Sequence, residues 1–102
     1  MNKVIIISGM SKGLGLGIAK KLLGKKFKVS GFSRKKTNDI LALKKKYKEN
    51  FHFSEMDIKQ SNKFDIFLNH TKKMGNIYGL INNVGYVNEE LLVRQDDKYI
   101  KD

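Results

Sequence analysis

Apolar and polar positions along the chain switch repeatedly between a strand-like and a helix-like period. Asn2-Lys3-Val4-Ile5-Ile6-Ile7-Ser8 is a nearly continuous β-branched run, the pattern of a strand buried on both faces of a parallel sheet. A glycine-rich stretch follows, and Ile18, Leu22 and Leu23 then recur at helical spacing up to the lysines before Phe27. Phe27-Lys28-Val29-Ser30-Gly31-Phe32 reads as a second strand. Thr37, Asn38 and Asp39 offer N-caps for a helix with Ile40, Leu41, Leu43 and Tyr47 on one side. Phe51-His52-Phe53-Ser54-Glu55-Met56 alternates as a third strand does. A helix from near Ser61 to near Gly75 carries Phe64, Ile66, Phe67 and Met74, and Ile77-Tyr78-Gly79-Leu80-Ile81-Asn82 is a fourth strand. The tail holds a short apolar patch, Leu91-Leu92-Val93, then Asp96-Asp97 and Tyr99-Ile100, which read as the start of another helix.

The resulting β-α-β-α-β-α-β order, with short connections and no internal repeat, predicts an α/β fold: a doubly wound parallel sheet with helices on both faces. Right-handed crossovers favour the strand order 3-2-1-4. Residues 1–102 are expected to form one domain, since neither a linker nor a second core is legible.

Composition changes this picture little. Hydrophobic residues make up 40% of the chain, enough for a packed core. The absence of cysteine removes disulfides and thiolate metal sites and fits a reducing, cytoplasmic setting. Val4 to Ile7 is too short an apolar run for a signal h-region or a membrane span, so no membrane partner is expected. The formal charge of +11 raises nucleic acid as a partner. Its lysines, however, are spread over every candidate helix, at Lys20, Lys21, Lys25, Lys26, Lys44, Lys45, Lys46, Lys72 and Lys73, where a helix faces water. A solvated surface is the simpler reading, and nucleic acid stays a distant alternative.

Candidate chemistry begins with Ser8-Gly9-Met10-Ser11-Lys12-Gly13-Leu14-Gly15-Leu16-Gly17, between the first strand and first helix. Backbone N–H groups and the helix dipole suit a phosphate there, and glycine permits its close approach. The spacing excludes a P-loop, because no Gly-Lys-Ser/Thr follows. It also departs from G-x-G-x-x-G, because Gly13 and Gly15 are followed by Ile18. What remains is Gly-x-x-x-Gly-x-Gly preceded by a hydroxyl residue.

This pattern resembles the short-chain dehydrogenases/reductases, whose turn is Thr-Gly-x-x-x-Gly-x-Gly, here with Ser8 for threonine. Asn82-Asn83-Val84-Gly85 resembles the family's Asn-Asn-Ala-Gly, and Asp57 matches its aspartate after the third strand. The likeness spans essentially the whole chain and implies a Rossmann-type fold that binds a nicotinamide dinucleotide. Gly85-Tyr86-Val87-Asn88-Glu89-Glu90-Leu91-Leu92-Val93-Arg94 is most similar to the 3-oxoacyl-(acyl-carrier-protein) reductase branch.

The resemblance also implies roles. The backbone of Gly9, Ser11, Lys12, Gly13, Leu14 and Gly15 would surround the pyrophosphate and adenosine ribose. Asp57 and Ile58 would contact the adenine, and Asn83, Val84 and Gly85 would pass beside the nicotinamide-side ribose. Val84 departs from the family's alanine by two methyl groups, placed where the chain would run close to the cofactor. Asp57 also has a plain reading as a strand-ending carboxylate. NAD-binding folds of this type place an acid at the end of the second strand; here Ser33-Arg34-Lys35 stands there, with Arg34 19 residues after Gly15. A guanidinium suits a 2′-phosphate, so NADP(H) is expected over NAD(H).

The family's catalytic serine and Tyr-x-x-x-Lys are not matched. Tyr47 is followed at that spacing by Phe51, Tyr78 by Asn82 and Tyr86 by Glu90, and Tyr99 lies too near the end. No metal site is expected either. The expectation is the cofactor-binding half of a reductase, truncated before the catalytic segment and inactive alone, with a complementary C-terminal half or a homo-oligomer as partner. The alternative is a non-catalytic nucleotide-binding or interaction module.

Overall fold

The structure, a computed structural model, describes residues 2–11, 13–57, 59 and 61–83. The predicted apolar patch at 91–93 and the helix start at 96–100 lie outside the described residues.

Four strands and three helices alternate: β1 (Lys3–Ser8), α1 (Gly13–Gly24), β2 (Lys28–Ser33), α2 (Asn38–Tyr47), β3 (Phe51–Glu55), α3 (Ser61–Met74) and β4 (Asn76–Asn82), with one 3₁₀ turn at Lys48–Asn50. All pairings are parallel and the sheet order is β3-β2-β1-β4, as the alternating pattern predicts. Observed strand ends differ from the expected ones by single residues, and Phe27 stays outside β2.

Both faces of the sheet are covered, which explains the unbroken apolar character of β1. Ile5, Ile7 and Val29 pack with Leu16, Ala19 and Leu23 of α1 and with Ile40 and Leu43 of α2. Ile6 and Phe32 pack on the opposite face with Phe64, Phe67 and Leu68 of α3. Phe32 meets the rings of Phe64 and Phe67 edge-on, at 6.0 and 5.1 Å between centroids. The buried hydroxyls of Ser30 and Thr71 satisfy each other across this interface at 2.6 Å.

Two helix faces differ from the expected ones. Leu41 and Ile66 were expected with the core residues of α2 and α3, yet they are 52% and 68% exposed. At about 100° per residue, Leu41 cannot share a narrow buried stripe with Ile40 and Leu43, nor Ile66 with Phe67 and Phe64. Leu68 takes the buried place on α3. Thr37 is the N-cap of α2, its hydroxyl accepting from the Ile40 amide. On β4 the register against β1 slips, so Val4 faces Ile77 while Ile5 faces Gly79. The bulged Tyr78 stands 57% exposed beneath the Lys3 ammonium.

Candidate cofactor site

Because the strands are parallel, their carboxyl ends share one edge of the sheet. Ser8 is level with Phe32 on one side and Asn82 on the other, and Ser33 is level with Glu55. The segments after β1, β2, β3 and β4 therefore emerge together. They carry Gly9 to Gly15, Arg34, Asp57 and Asn83 respectively. The strand order reverses between β1 and β4, the point where open sheets of this kind leave a crevice for a ligand.

The glycine turn is shaped by its backbone. Gly9 and Gly13 both have φ of +64°, a region that costs other L-residues energy. The Gly9 amide donates to the Phe32 carbonyl at 2.8 Å, fastening the turn to β2. Gly15 is in the first turn of α1, where a Cβ would run into the Gly9 carbonyl and lie 2.8 Å from Asn83 Nδ2. The third glycine of the motif thus lets the start of α1 close onto the turn. No acidic residue occupies the first turn of α1, which leaves the helix N-terminus favourable to an anion. The Leu14 side chain points outward, 71% exposed.

Asn83 and Ser8 lock this turn to β4. The Ser8 hydroxyl donates to Asn82 Oδ1 at 3.1 Å and accepts from the Asn83 amide at 2.9 Å. Asn83 Nδ2 then donates to the Gly9 carbonyl at 2.9 Å. The Ser-Gly and Asn-Asn motifs, about three-quarters of the chain apart, form one hydrogen-bonded unit across the switch point. Retention of a hydroxyl at Ser8 is what this unit requires.

On the other side, Arg34 is exposed directly after β2, within a loop held at several points. The Ser33 hydroxyl donates to the Lys35 carbonyl, and the Lys36 amide donates to Glu55 Oε2. Thr37 Oγ1 donates to the Ser11 carbonyl at 3.0 Å. Asp57, half-buried, accepts from the Lys59 amide at 3.0 Å, so the strand-ending reading of this carboxylate describes part of what it does. Lys12, Ile58, Val84 and Gly85 of the expected site lie outside the described residues.

Two contributors escaped the sequence reading. Met10, fully buried inside the turn, lies over Gly31 of β2, where a Cβ would meet its sulfur and sit 2.8 Å from the Ile7 carbonyl. A large apolar residue within a glycine turn is the signal that could have revealed this anchor. The second is Thr37, legible as a cap but not as a tie to Ser11.

The opposite, amino edge has different chemistry. Lys28 Nζ donates to the Met74 carbonyl at 2.7 Å, and Lys44 Nζ donates to the Phe51 carbonyl at 2.9 Å. His52 and His70 do sit on a strand and a helix, as expected, and their rings stack at 3.8 Å. Burial, followed by the neighbouring His70 and Lys44, pushes the His52 pKa down to about 4. Among the described residues no group of three or more His, Cys, Asp or Glu could hold a metal, and no helix is long and apolar enough to cross a membrane.

Comparison with known proteins places this geometry. A family model described as short chain dehydrogenase matches residues 3–102. The chain belongs to the short-chain dehydrogenase family. Solved members of similar fold include a short-chain dehydrogenase/reductase from Saccharomyces cerevisiae, 31% identical with a TM-score of 0.69, covering 79% of this chain and 33% of that one. ElxO, solved with NADP bound, is 31% identical with a TM-score of 0.65, covering 81% of this chain and 35% of its own. A Bacillus thuringiensis protein described as a 3-oxoacyl-reductase shares the fold at 24% identity and a TM-score of 0.69, covering 91% and 45%. This short-chain dehydrogenase chain thus spans from a third to under half the length of these structures. No curated protein matches it.

Proposed function

We propose that this chain is the NADP(H)-holding portion of a carbonyl or hydroxyl oxidoreductase. The observation that carries the reading is the hydrogen-bonded unit of Ser8, Gly9, Asn82 and Asn83, which fixes a cradle at the switch point that a Cβ at Gly15 would fill. Glycines at the phosphate turn, a helix N-terminus with no acidic residue in its first turn and a neutral polar wall fit a pyrophosphate. When bound, the cofactor supplies hydride; this chain's own groups bind and orient it.

Gly9, Ser11, Lys12, Gly13, Leu14 and Gly15 surround the pyrophosphate and adenosine ribose in this reading. Asp57 and Ile58 meet the adenine, and Asn83, Val84 and Gly85 the nicotinamide-side ribose. Arg34 leads the preference for NADP(H), because a guanidinium at the end of β2 pairs with a 2′-phosphate where an acid would favour the bare ribose hydroxyls. A similar protein, ElxO, carries NADP in its structure, which supports the same choice. The likeness of Gly85 to Arg94 to the 3-oxoacyl-(acyl-carrier-protein) reductases, and one fold neighbour so described, support 3-oxoacyl reduction as the activity of the whole enzyme.

Turnover requires more than these residues. No tyrosine among the 102 residues has a lysine four positions on, so proton exchange with the substrate oxygen falls to groups supplied by another segment or subunit. The chain alone therefore holds cofactor without using it. Amide NMR of the purified chain tests this. Added NADPH is expected to shift Gly9, Gly13, Gly15, Arg34 and Asn83, with no NADPH oxidation on adding a carbonyl substrate. Shifts confined to the amino edge, or steady oxidation, would overturn the reading.

A further inference from the structure

Thr37 spends both capacities of its hydroxyl at one place. It accepts from the Ile40 amide at 3.4 Å, capping α2, and donates to the Ser11 carbonyl at 3.0 Å, inside the glycine turn. The cap explains the acceptance and not the donation, because a capping oxygen needs no donor of its own. Ser11 and Thr37 are 26 positions apart, so the bond joins two loops that no backbone ladder connects at this point.

The loop that Thr37 closes is the one bearing Arg34. At its start it is set by β2, where the Met56 amide donates to the Ser33 carbonyl at 2.8 Å. Midway, the Lys36 amide reaches Glu55 Oε2 at 3.2 Å. Both ties run toward β3, away from the glycine turn. The Thr37–Ser11 bond runs the other way. The glycine turn itself is held independently, by Phe32 through the Gly9 amide and by Asn83 through the Gly9 carbonyl. Removing the Thr37 hydroxyl thus leaves the cradle shaped while taking away one tie between it and the loop that bears Arg34.

We infer that Thr37 is a positioning residue for cofactor discrimination: its bond to Ser11 sets Arg34 at the distance from the phosphate turn that a 2′-phosphate requires. The inference rests on the NADP(H) reading above and adds a part to it. A guanidinium pairs with a phosphate through directed, paired hydrogen bonds, so small displacements of its loop matter more for NADPH than for NADH.

The test is a fluorescence titration of the full chain with NADPH and with NADH, for wild type, Thr37→Val and Thr37→Ser. Thr37→Val loses the donor and the cap, and its thermal midpoint is recorded beside the affinities. Loss of one tie is expected to weaken NADPH by about five- to tenfold, with NADH within about twofold and Thr37→Ser restoring both values. Should Thr37→Val fail to fold, Thr37→Gly serves instead, since glycine is nearly as good an N-cap and carries no hydroxyl. Equal weakening of both cofactors, or an unchanged NADPH preference, overturns the inference while leaving the cofactor reading intact. A wild-type chain that binds neither cofactor overturns both.

Discussion

The two edges of this one sheet solve the problem of strand ends in opposite ways. At the amino edge, charged side chains reach over to satisfy backbone carbonyls: Lys28 at Met74 and Lys44 at Phe51, with the His52–His70 stack beside them. At the carboxyl edge the glycine turn is tied to its neighbours by the neutral side chains of Ser8, Thr37, Asn82 and Asn83, while the carboxylates of Glu55 and Asp57 accept backbone amides beside it. One edge is closed off by its own side chains. The other carries a helix with no acidic residue in its first turn, which favours an anion there. In a chain of +11, some of the charge therefore serves the fold. Shape at the carboxyl edge is the more specific sign.

The largest effect is expected from Gly15→Val. Its side chain has no room against the Gly9 carbonyl and Asn83, so the turn must open. Overpacking of this kind costs about 1–3 kcal/mol, and NADPH binding should be lost with the cradle. Denaturant unfolding and cofactor titration of the same sample check both halves; a stable variant that binds normally would break the comparison.

The pH response belongs to the other edge. His52 titrates near 4 in the folded protein against about 6.5 when unfolded, so the unfolded chain takes up its proton first as pH falls. The stability it contributes is complete above pH 6.5 and is lost as pH drops towards 4. His52→Phe keeps a ring against His70 and Phe67 but removes the titration. Thermal midpoints measured from pH 7 to 4 should fall less in the variant, and parallel curves would refute this. Lys28→Met gives the smallest change, about 1 kcal/mol for one lost bond, with NADPH affinity unaltered. A weakened cofactor there would mean that the two edges are coupled.

Much of this was readable from the chain because local rules agreed with the global fold. The β-branched run of β1, the Thr37 cap and the helical spacing of Phe64 and Phe67 each point to the element observed. Leu41 and Ile66 misled because apolar character alone was counted, whereas the helical angle sets both off the buried stripe. Motif spacing singles out the candidate site residues; the bonds among those described were not legible from it. Asn83 reaches Gly9 across 74 positions, and Met10 reaches Gly31 only because β1 and β2 are neighbours. Such contacts depend on which strands lie side by side, a property of the whole sheet.

The proposed NADP(H) site at the carboxyl edge rests on the glycine turn and Arg34. Calorimetric titration of the wild-type chain and of Arg34→Ala with NADPH and NADH tests it most directly. The account predicts that wild type binds NADPH about tenfold or more tighter than NADH, and that Arg34→Ala loses most of that advantage while still binding NADH, a change of about 1.4 kcal/mol or more. Equal affinity for the two cofactors in wild type, or an advantage that survives without Arg34, would contradict it.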